Sequence, residues 1–234
     1  LATMALLIAD IASAQLHRVI FDTDFAMPPQ DDGMALLLAL QSPELEIVGI
    51  TTVAGNLSLE QANADVLRLL EIAERTEIPV YSGADMPLVH EKSDYATQNH
   101  GEWWSNAVPR EPPGGFAAKT LESTGAVEFM LETVRQQPGE ITILAIGPLT
   151  NVAIAIRQDA AFARRVKKLV IMGGAVATLP DGHGNVTPNA EFNFWVDPEA
   201  ARVGASVADE PDHAQCKPDE HRPPVLHHPR GEPH

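Results

Sequence analysis

Residues 17–40 read His-Arg-Val-Ile-Phe-Asp-Thr-Asp-Phe-Ala-Met-Pro-Pro-Gln-Asp-Asp-Gly-Met-Ala-Leu-Leu-Leu-Ala-Leu. The apolar run at residues 17–21 predicts a β-strand, and residues 33–41 predict a short helix that is apolar on nearly every side and therefore buried. The connection between them places four carboxylates within eleven residues: Asp22, Asp24, Asp31 and Asp32.

Short apolar runs alternate with helical patterns along the rest of the chain. Ser58 stands three residues before Gln61 in a capping-box spacing, which predicts a helix start. Pro79 indicates either an edge position or a strand start for the strand at residues 78–81. This alternation predicts an α/β fold with an open, mostly parallel sheet flanked by helices, of Rossmann-like type. Further strands are predicted at residues 46–52, 78–81, 141–146 and 168–172, and further helices at residues 123–137, from 150 and from 197.

Three regions differ in composition. Residues 1–14 end in Ala12-Ser13-Ala14 and resemble a signal-peptide remnant, although Asp10 interrupts the apolar stretch. Residues 15–203 form the predicted α/β domain, and the proline- and histidine-rich residues 204–234 predict a disordered, non-homologous tail. We expect a periplasmic or secreted protein if residues 4–14 are a signal remnant, and a cytoplasmic one otherwise.

The composition of the chain disfavours several classes of binding partner. The formal net charge of -16 disfavours a nucleic-acid partner, because an acidic chain repels the phosphate backbone. A single cysteine, Cys216, excludes an intrachain disulfide and a cysteine-based zinc site. No apolar run reaches the length of about 20 residues that crosses a bilayer, so no membrane partner is expected. A neutral small molecule or a cation fits this composition better.

The aspartate cluster has two readings. Asp31 and Asp32 precede a helix and could be caps, and Asp22 and Asp24 could be turn residues. Together, however, all four carboxylates are delivered to the carboxyl end of the first strand, where α/β sheets bind ligands. Crowded like charges raise one another's pKa unless a cation relieves the repulsion. Oxygen ligands indicate calcium or magnesium, and calcium fits a site with several protein oxygens better.

The chain also resembles a known family. The pattern Asp22-Thr-Asp24 followed by Asp31-Asp32 is similar to the N-terminal signature of the inosine-uridine-preferring nucleoside hydrolases, with a spacer that is three residues longer than usual. The resemblance covers about residues 17–203 and implies a C-terminally incomplete member. Four further segments agree in order: Thr51-Thr-Val-Ala-Gly-Asn56, Gly147-Pro-Leu-Thr-Asn151, Met172-Gly-Gly174, and the stretch from Gly184-Asn185 through Ala190-Glu-Phe-Asn193 to Asp197-Pro-Glu-Ala-Ala201.

The resemblance implies roles for individual residues. Asp31 would be the catalytic general base. Calcium would be held by Asp24, Asp32 and the backbone carbonyl of Thr150, with Asp22 in support. The ribose pocket would be lined by Asn56, Met172, Asn185, Glu191 and Asn193, with His100 near its rim. Each of these residues taken alone also has a structural reading, such as turn, cap or core filling.

The implied activity is hydrolysis of the N-glycosidic bond of ribonucleosides to free base and ribose, as in purine and pyrimidine salvage. His100, Trp103, Trp104 and His183 are candidates to protonate or stack on the leaving base. The family likeness implies a homodimer or homotetramer. Two alternatives stay open: an Asp-x-Asp magnesium phosphatase with Asp22 as nucleophile, and a non-catalytic or impaired ribose- or nucleoside-binding fragment.

Overall fold

The computed structural model describes residues 16–89, 108–175 and 183–208, with side chains up to residue 205. Its strands are β1 (His17–Thr23), β2 (Leu45–Thr52), β3 (Val80–Tyr81), β4 (Ile141–Ala145) and β5 (Lys168–Ile171). Its helices are α1 (Asp31–Leu40), α2 (Leu59–Ile72), α3 (Ala126–Gln136), α4 (Thr150–Gln158), α5 (Phe162–Arg165), α6 (Phe192–Val196) and α7 (Pro198–Ala208).

The five described strands form one open sheet in the order β3-β2-β1-β4-β5, and every pairing is parallel. This confirms the predicted α/β fold with a parallel sheet flanked by helices. Among the described strands β3 lies at an edge, and it begins at Val80, directly after Pro79. β1 lies at the centre, and the chain builds outward from it first through β2 and later through β4. The carboxyl ends of β1 and β4 therefore flank the point where the strand order reverses, which is where open α/β sheets bind ligands.

The core lies on both faces of the sheet because successive side chains of a strand point to opposite sides. Phe21 packs with the residues of α1 and α2 on one face, whereas its neighbour Ile20 packs with those of α3 and α4 on the other. Both side chains are almost fully buried. Burial on two faces explains why the strands read as continuous apolar runs rather than as alternating patterns.

Several element boundaries differ from the prediction. β1 continues through Asp22 to Thr23, because both residues pair with β2 at Thr51 and Thr52. α1 begins at Asp31, so both aspartates form its first turn. Ser58 caps α2 as predicted, and its Oγ accepts a hydrogen bond from the Gln61 amide at 3.3 Å.

The last helix, α7, also differs from the prediction because it runs to Ala208, past the predicted domain end at residue 203. The predicted signal remnant lies outside the described residues, as does the tail beyond Ala208. None of the described helices is both long and apolar enough to cross a membrane.

Candidate active site

Asp24 lies at the floor of the site, directly after β1, and is fully buried. Its Oδ2 accepts a hydrogen bond from the Asn56 amide at 2.7 Å. Within the described part of the chain, its Oδ1 is buried and accepts no hydrogen bond. Two glycines make room for it: a Cβ at Gly55 would collide with Oδ2, and one at Gly147 would lie 2.8 Å from Oδ1. The ends of β1, β2 and β4 thus converge on one carboxylate.

Asp32 stands beside Asp24 at the start of α1 and is only 2% exposed. Thr23 donates a short hydrogen bond to its Oδ1, and the Asn56 side-chain amide donates to its Oδ2 at 2.9 Å. Asn56 therefore holds both carboxylates, one through its backbone amide and the other through its side chain. The longer spacer between Asp24 and Asp31 does not separate the two halves of the cluster.

Asp22 is buried within β1, two residues before Asp24. Its Oδ1 accepts hydrogen bonds from Thr51 Oγ1 at 2.6 Å and from Asn151 Nδ2 at 2.9 Å. Among the described residues, nothing donates to its buried Oδ2. Two donors on one oxygen fix the rotation of this carboxylate.

The electrostatics of the cluster penalise negative charge. Burial raises the pKa of Asp22 to about 6 against hydrogen bonds from Thr51 and Asn151 that lower it. Burial, and then the charge of Asp32, raise the pKa of Asp24 well above its ordinary value. Burial also raises the pKa of Asp32 to about 6, with a further contribution from the charge of Asp31. A cation in contact with these oxygens would offset both causes.

The carboxylate oxygens of Asp24 and Asp32 supply part of a coordination shell for a hard cation. Asp24 offers a buried oxygen that accepts no hydrogen bond from the described residues, and Asp32 stands close enough to repel it electrostatically. Over residues 16–89, 108–175 and 183–208, no three His, Cys, Asp or Glu side chains gather as a metal-binding group. A complete shell would therefore also need main-chain, amide or water oxygens, which calcium accepts readily.

Asp31 differs from its neighbours because its side chain is exposed. It occupies the first turn of α1 together with Asp32, and its charge acts on both Asp32 and Asp24. An exposed carboxylate beside buried ones is accessible to water and substrate. That placement suits a group that must exchange protons with solvent.

Asn193 belongs to a second group of predicted residues, at the ends of β4 and β5. It is 3% exposed, and its Nδ2 donates to the carbonyls of Ile146 at 2.8 Å and Met172 at 3.1 Å. The Ile146 amide in turn donates to the carbonyl of Asp22 at 2.8 Å. Asn193 is thus joined to the aspartate cluster through one residue. Met172 is 41% exposed, so its side chain is available for contact.

Glu191 and Asn185 are engaged with the local backbone. Glu191 caps α6: its Oε1 accepts from the Asn193 amide at 2.9 Å, and its Oε2 accepts from the Gly174 amide at 2.9 Å. The Asn185 side chain is exposed, and its Oδ1 accepts from the Phe192 amide at 2.8 Å. The structure places both side chains near Asn193, and their predicted contacts with ribose stay predictions.

Thr150 begins α4 and is buried, and its Oγ1 donates to Asp197 Oδ2 at 2.7 Å. Asp197 also accepts from the Ala200 amide at 2.9 Å and from the Leu88 amide at 2.9 Å. Its predicted N-cap position before α7 is confirmed. Its tie to Thr150 was not predicted, because the two residues are far apart in sequence.

Four candidates for contact with the leaving base stay untested. His100, Trp103 and Trp104 lie outside the described residues. His183 is described and exposed. No role was predicted for Asn151, which is the last residue of the motif Gly147-Pro-Leu-Thr-Asn151. A polar residue directly after a predicted ligand, at the start of a helix, was the signal available.

Fold and site together define an α/β protein with an acidic site at the carboxyl edge of a parallel sheet. A family model described as inosine-uridine preferring nucleoside hydrolase matches residues 19–212. The chain belongs to that family. The match extends beyond residue 203, where the sequence analysis ended the resemblance.

Individual relatives agree with the family. Uridine nucleosidase 1 of Arabidopsis thaliana is 46% identical over 187 residues, which are 80% of this chain and 52% of that protein. The pyrimidine-specific ribonucleoside hydrolase RihA of Citrobacter koseri is 43% identical over 185 residues, which are 79% of this chain and 55% of that protein. The chain spans about half the length of these relatives.

Solved structures show the same fold. A plant nucleoside hydrolase matches with a TM-score of 0.66 at 38% identity, covering 82% of this chain and 57% of that one. A purine-preferring ribonucleoside hydrolase from Gardnerella vaginalis matches with a TM-score of 0.68 at 28% identity, covering 82% of this chain and 58% of that one. The names of the relatives thus include both pyrimidine and purine preferences.

The raised carboxylate pKa values predict how stability depends on pH in a calcium chelator. The unfolded chain loses these protons near the ordinary value of 3.8, whereas folded Asp22 and Asp32 keep theirs to about 6. Between those values the folded state binds more protons, so the free energy of unfolding falls as pH rises. Urea unfolding at pH 4.5, 5.5 and 6.5 measures the slope. A free energy of unfolding that rises with pH across this window would contradict the expectation.

Proposed function

We propose that this chain hydrolyses the N-glycosidic bond of ribonucleosides to free base and ribose. The observation that supports this most directly is the buried pair Asp24 and Asp32, which both accept hydrogen bonds from Asn56. The Oδ1 atom of Asp24 accepts no hydrogen bond from the described residues. Family membership supplies the reaction class.

The proposed cofactor is calcium, held by Asp24, Asp32 and the main-chain carbonyl of Thr150, with Asp22 in support. A bound divalent cation lowers the pKa of a coordinated water. The chain's own residues supply the rest. Asn56 and the Thr23 hydroxyl hold the carboxylates in place, and the buried floor keeps bulk water from screening their charge.

Asp31 is the proposed general base. Its exposed carboxylate at the start of α1 would accept the proton of the attacking water. The transition state of glycosidic cleavage has oxocarbenium character, so nearby carboxylates also stabilise positive charge at the anomeric carbon. Asn56, Met172, Asn185, Glu191 and Asn193, with His100 at the rim, are the proposed ribose contacts. They would fix the sugar relative to the water.

The proposed substrates are ribonucleosides, with purine and pyrimidine bases both open. The proposed assembly is a homodimer or homotetramer.

The phosphatase alternative is weakened because Asp22, its required nucleophile, is fully buried with one oxygen held by Thr51 and Asn151. The binding-fragment alternative keeps its weight, since the chain spans about half the length of its relatives.

A reducing-sugar assay tests the proposal. Inosine and uridine are incubated with the chain in calcium and in a chelator, beside a phosphomonoester. We expect ribose release that requires calcium, and no phosphate release. Phosphate release without ribose would support the phosphatase instead. Calorimetric nucleoside binding without any ribose release would support the binding fragment.

A further inference from the structure

Asn151 joins three chain segments beneath the candidate active site. It is fully buried at the start of α4. Its Nδ2 donates to Asp22 Oδ1 at 2.9 Å and to the Thr52 carbonyl at 2.9 Å, and its Oδ1 accepts from the Ala84 amide at 2.9 Å. One side chain therefore connects the ends of β1 and β2 with the segment that follows β3.

The fit around this side chain is tight. A Cβ at Gly83 would collide with both polar atoms of the Asn151 amide, so the chain approaches at a distance that only glycine allows. A carboxamide has four hydrogen-bonding positions, which are rarely all used in a core. The Asn151 side chain uses three of them. A buried amide with this many partners has one orientation.

Two residues of the proposed calcium site are held by this orientation. The first is Asp22, because Asn151 and Thr51 both donate to the same oxygen and leave the other oxygen without a described donor. The second is Thr150, whose carbonyl belongs to the planar peptide unit that ends at the Asn151 nitrogen. Anchoring the Asn151 side chain therefore restrains that peptide plane as well.

We propose that Asn151 is a positioning residue that sets Asp22 on β1 against the Thr150 peptide at the start of α4. This inference rests on the proposed function. Residues that hydrogen-bond to metal ligands orient those ligands without contacting the metal. Losing such a residue weakens metal binding although every ligand is still present. The role is distinct from general core stability, because many buried amides stabilise a fold without holding a ligand.

Asn63 provides the matched control. It is also a buried asparagine of the same region, 8% exposed, on α2. Its Oδ1 accepts from Thr52 Oγ1 at 2.6 Å, and its Nδ2 donates to Ser82 Oγ at 2.9 Å. The Asn63 side chain therefore bonds to Thr52 and Ser82, whereas that of Asn151 bonds to Asp22. Asn63→Ala removes a comparable buried amide without touching the proposed calcium site.

The test is calorimetric titration of Ca²⁺ into metal-stripped wild type, Asn151→Ala and Asn63→Ala, beside thermal unfolding in a chelator. Both variants are expected to unfold at lower temperature. Asn151→Ala is expected to weaken Ca²⁺ binding about 10- to 100-fold, whereas Asn63→Ala keeps the wild-type affinity. Wild-type affinity in Asn151→Ala, or an equal loss in both variants, overturns the inference.

Thr51→Val carries the test if Asn151→Ala does not fold. This change keeps the shape of the side chain and removes the other hydrogen bond to Asp22 Oδ1. We expect a smaller loss of Ca²⁺ affinity, because the Thr150 peptide keeps its anchor. Unchanged affinity overturns the inference. A wild type that takes up no Ca²⁺ overturns the proposed function together with this inference, so the two failures are distinguishable.

Discussion

Asp24→Asn is expected to change stability in opposite directions with and without calcium. In a chelator, the variant should melt at a higher temperature than wild type, because burial and the charge of Asp32 make ionisation of Asp24 unfavourable and an amide has no proton to lose. A gain of 1 kcal/mol raises the melting temperature by about 2–4 °C in a chain of this size. In calcium, the variant should lose the stabilisation that metal binding gives wild type, with Ca²⁺ affinity lower by about 10²-fold or more.

Asp197→Asn is the control for this prediction. Asp197 is another fully buried aspartate, but both of its oxygens accept hydrogen bonds, from Thr150, Leu88 and Ala200. An amide nitrogen cannot accept these bonds, so this variant should be less stable than wild type in a chelator. Differential scanning calorimetry in chelator gives both signs. A lower melting temperature for Asp24→Asn would show that its charge is satisfied by the protein alone.

Asp31→Ala is expected to lower kcat for ribonucleoside hydrolysis by about 10²–10⁴-fold, the usual contribution of a positioned general base. Ca²⁺ affinity should fall far less, because Asp31 is exposed and is not among the proposed ligands. Steady-state kinetics over a pH series, beside calorimetric Ca²⁺ titration, separates the two effects.

Glu128→Ala is the matched control for Asp31→Ala. Glu128 is also an exposed carboxylate in the first turn of a helix, on α3. Its removal changes the net charge and the helix end in the same way, so the control reports any effect of charge alone. Equal kinetic losses in the two variants would remove the proposed role of Asp31.

The architecture was predictable because its signals are local. Strands buried on both faces read as apolar runs, and the Ser58 cap has a spacing that can be read from the sequence. The acidic loop after β1 was predictable for the same reason, since four carboxylates stand close together in sequence. Delivery of Asp24 and Asp32 to one place followed from the rule that parallel strands end at a common edge.

The partners of these carboxylates were not predictable. Thr51 and Asn151 are 29 and 129 residues from Asp22 in sequence, and only the pairing of β1 with β2 and β4 brings them together. The hydrogen bonds of Glu191 were not predicted either: its carboxylate caps α6 and accepts from the Gly174 amide, and its contact with ribose stays a prediction. No local pattern distinguishes those two uses of a glutamate before a short helix.

Calorimetric titration of Ca²⁺ into the metal-stripped chain near pH 6 shows whether these aspartates form a calcium site. We expect one site per chain, with proton release on binding, because burial raises the pKa of Asp22 and Asp32 to about 6 and a bound cation lowers the pKa of nearby carboxyls. Repeating the titration in buffers of different ionisation enthalpy counts those protons. The absence of saturable binding, or binding without proton release, would contradict a calcium site built on these aspartates.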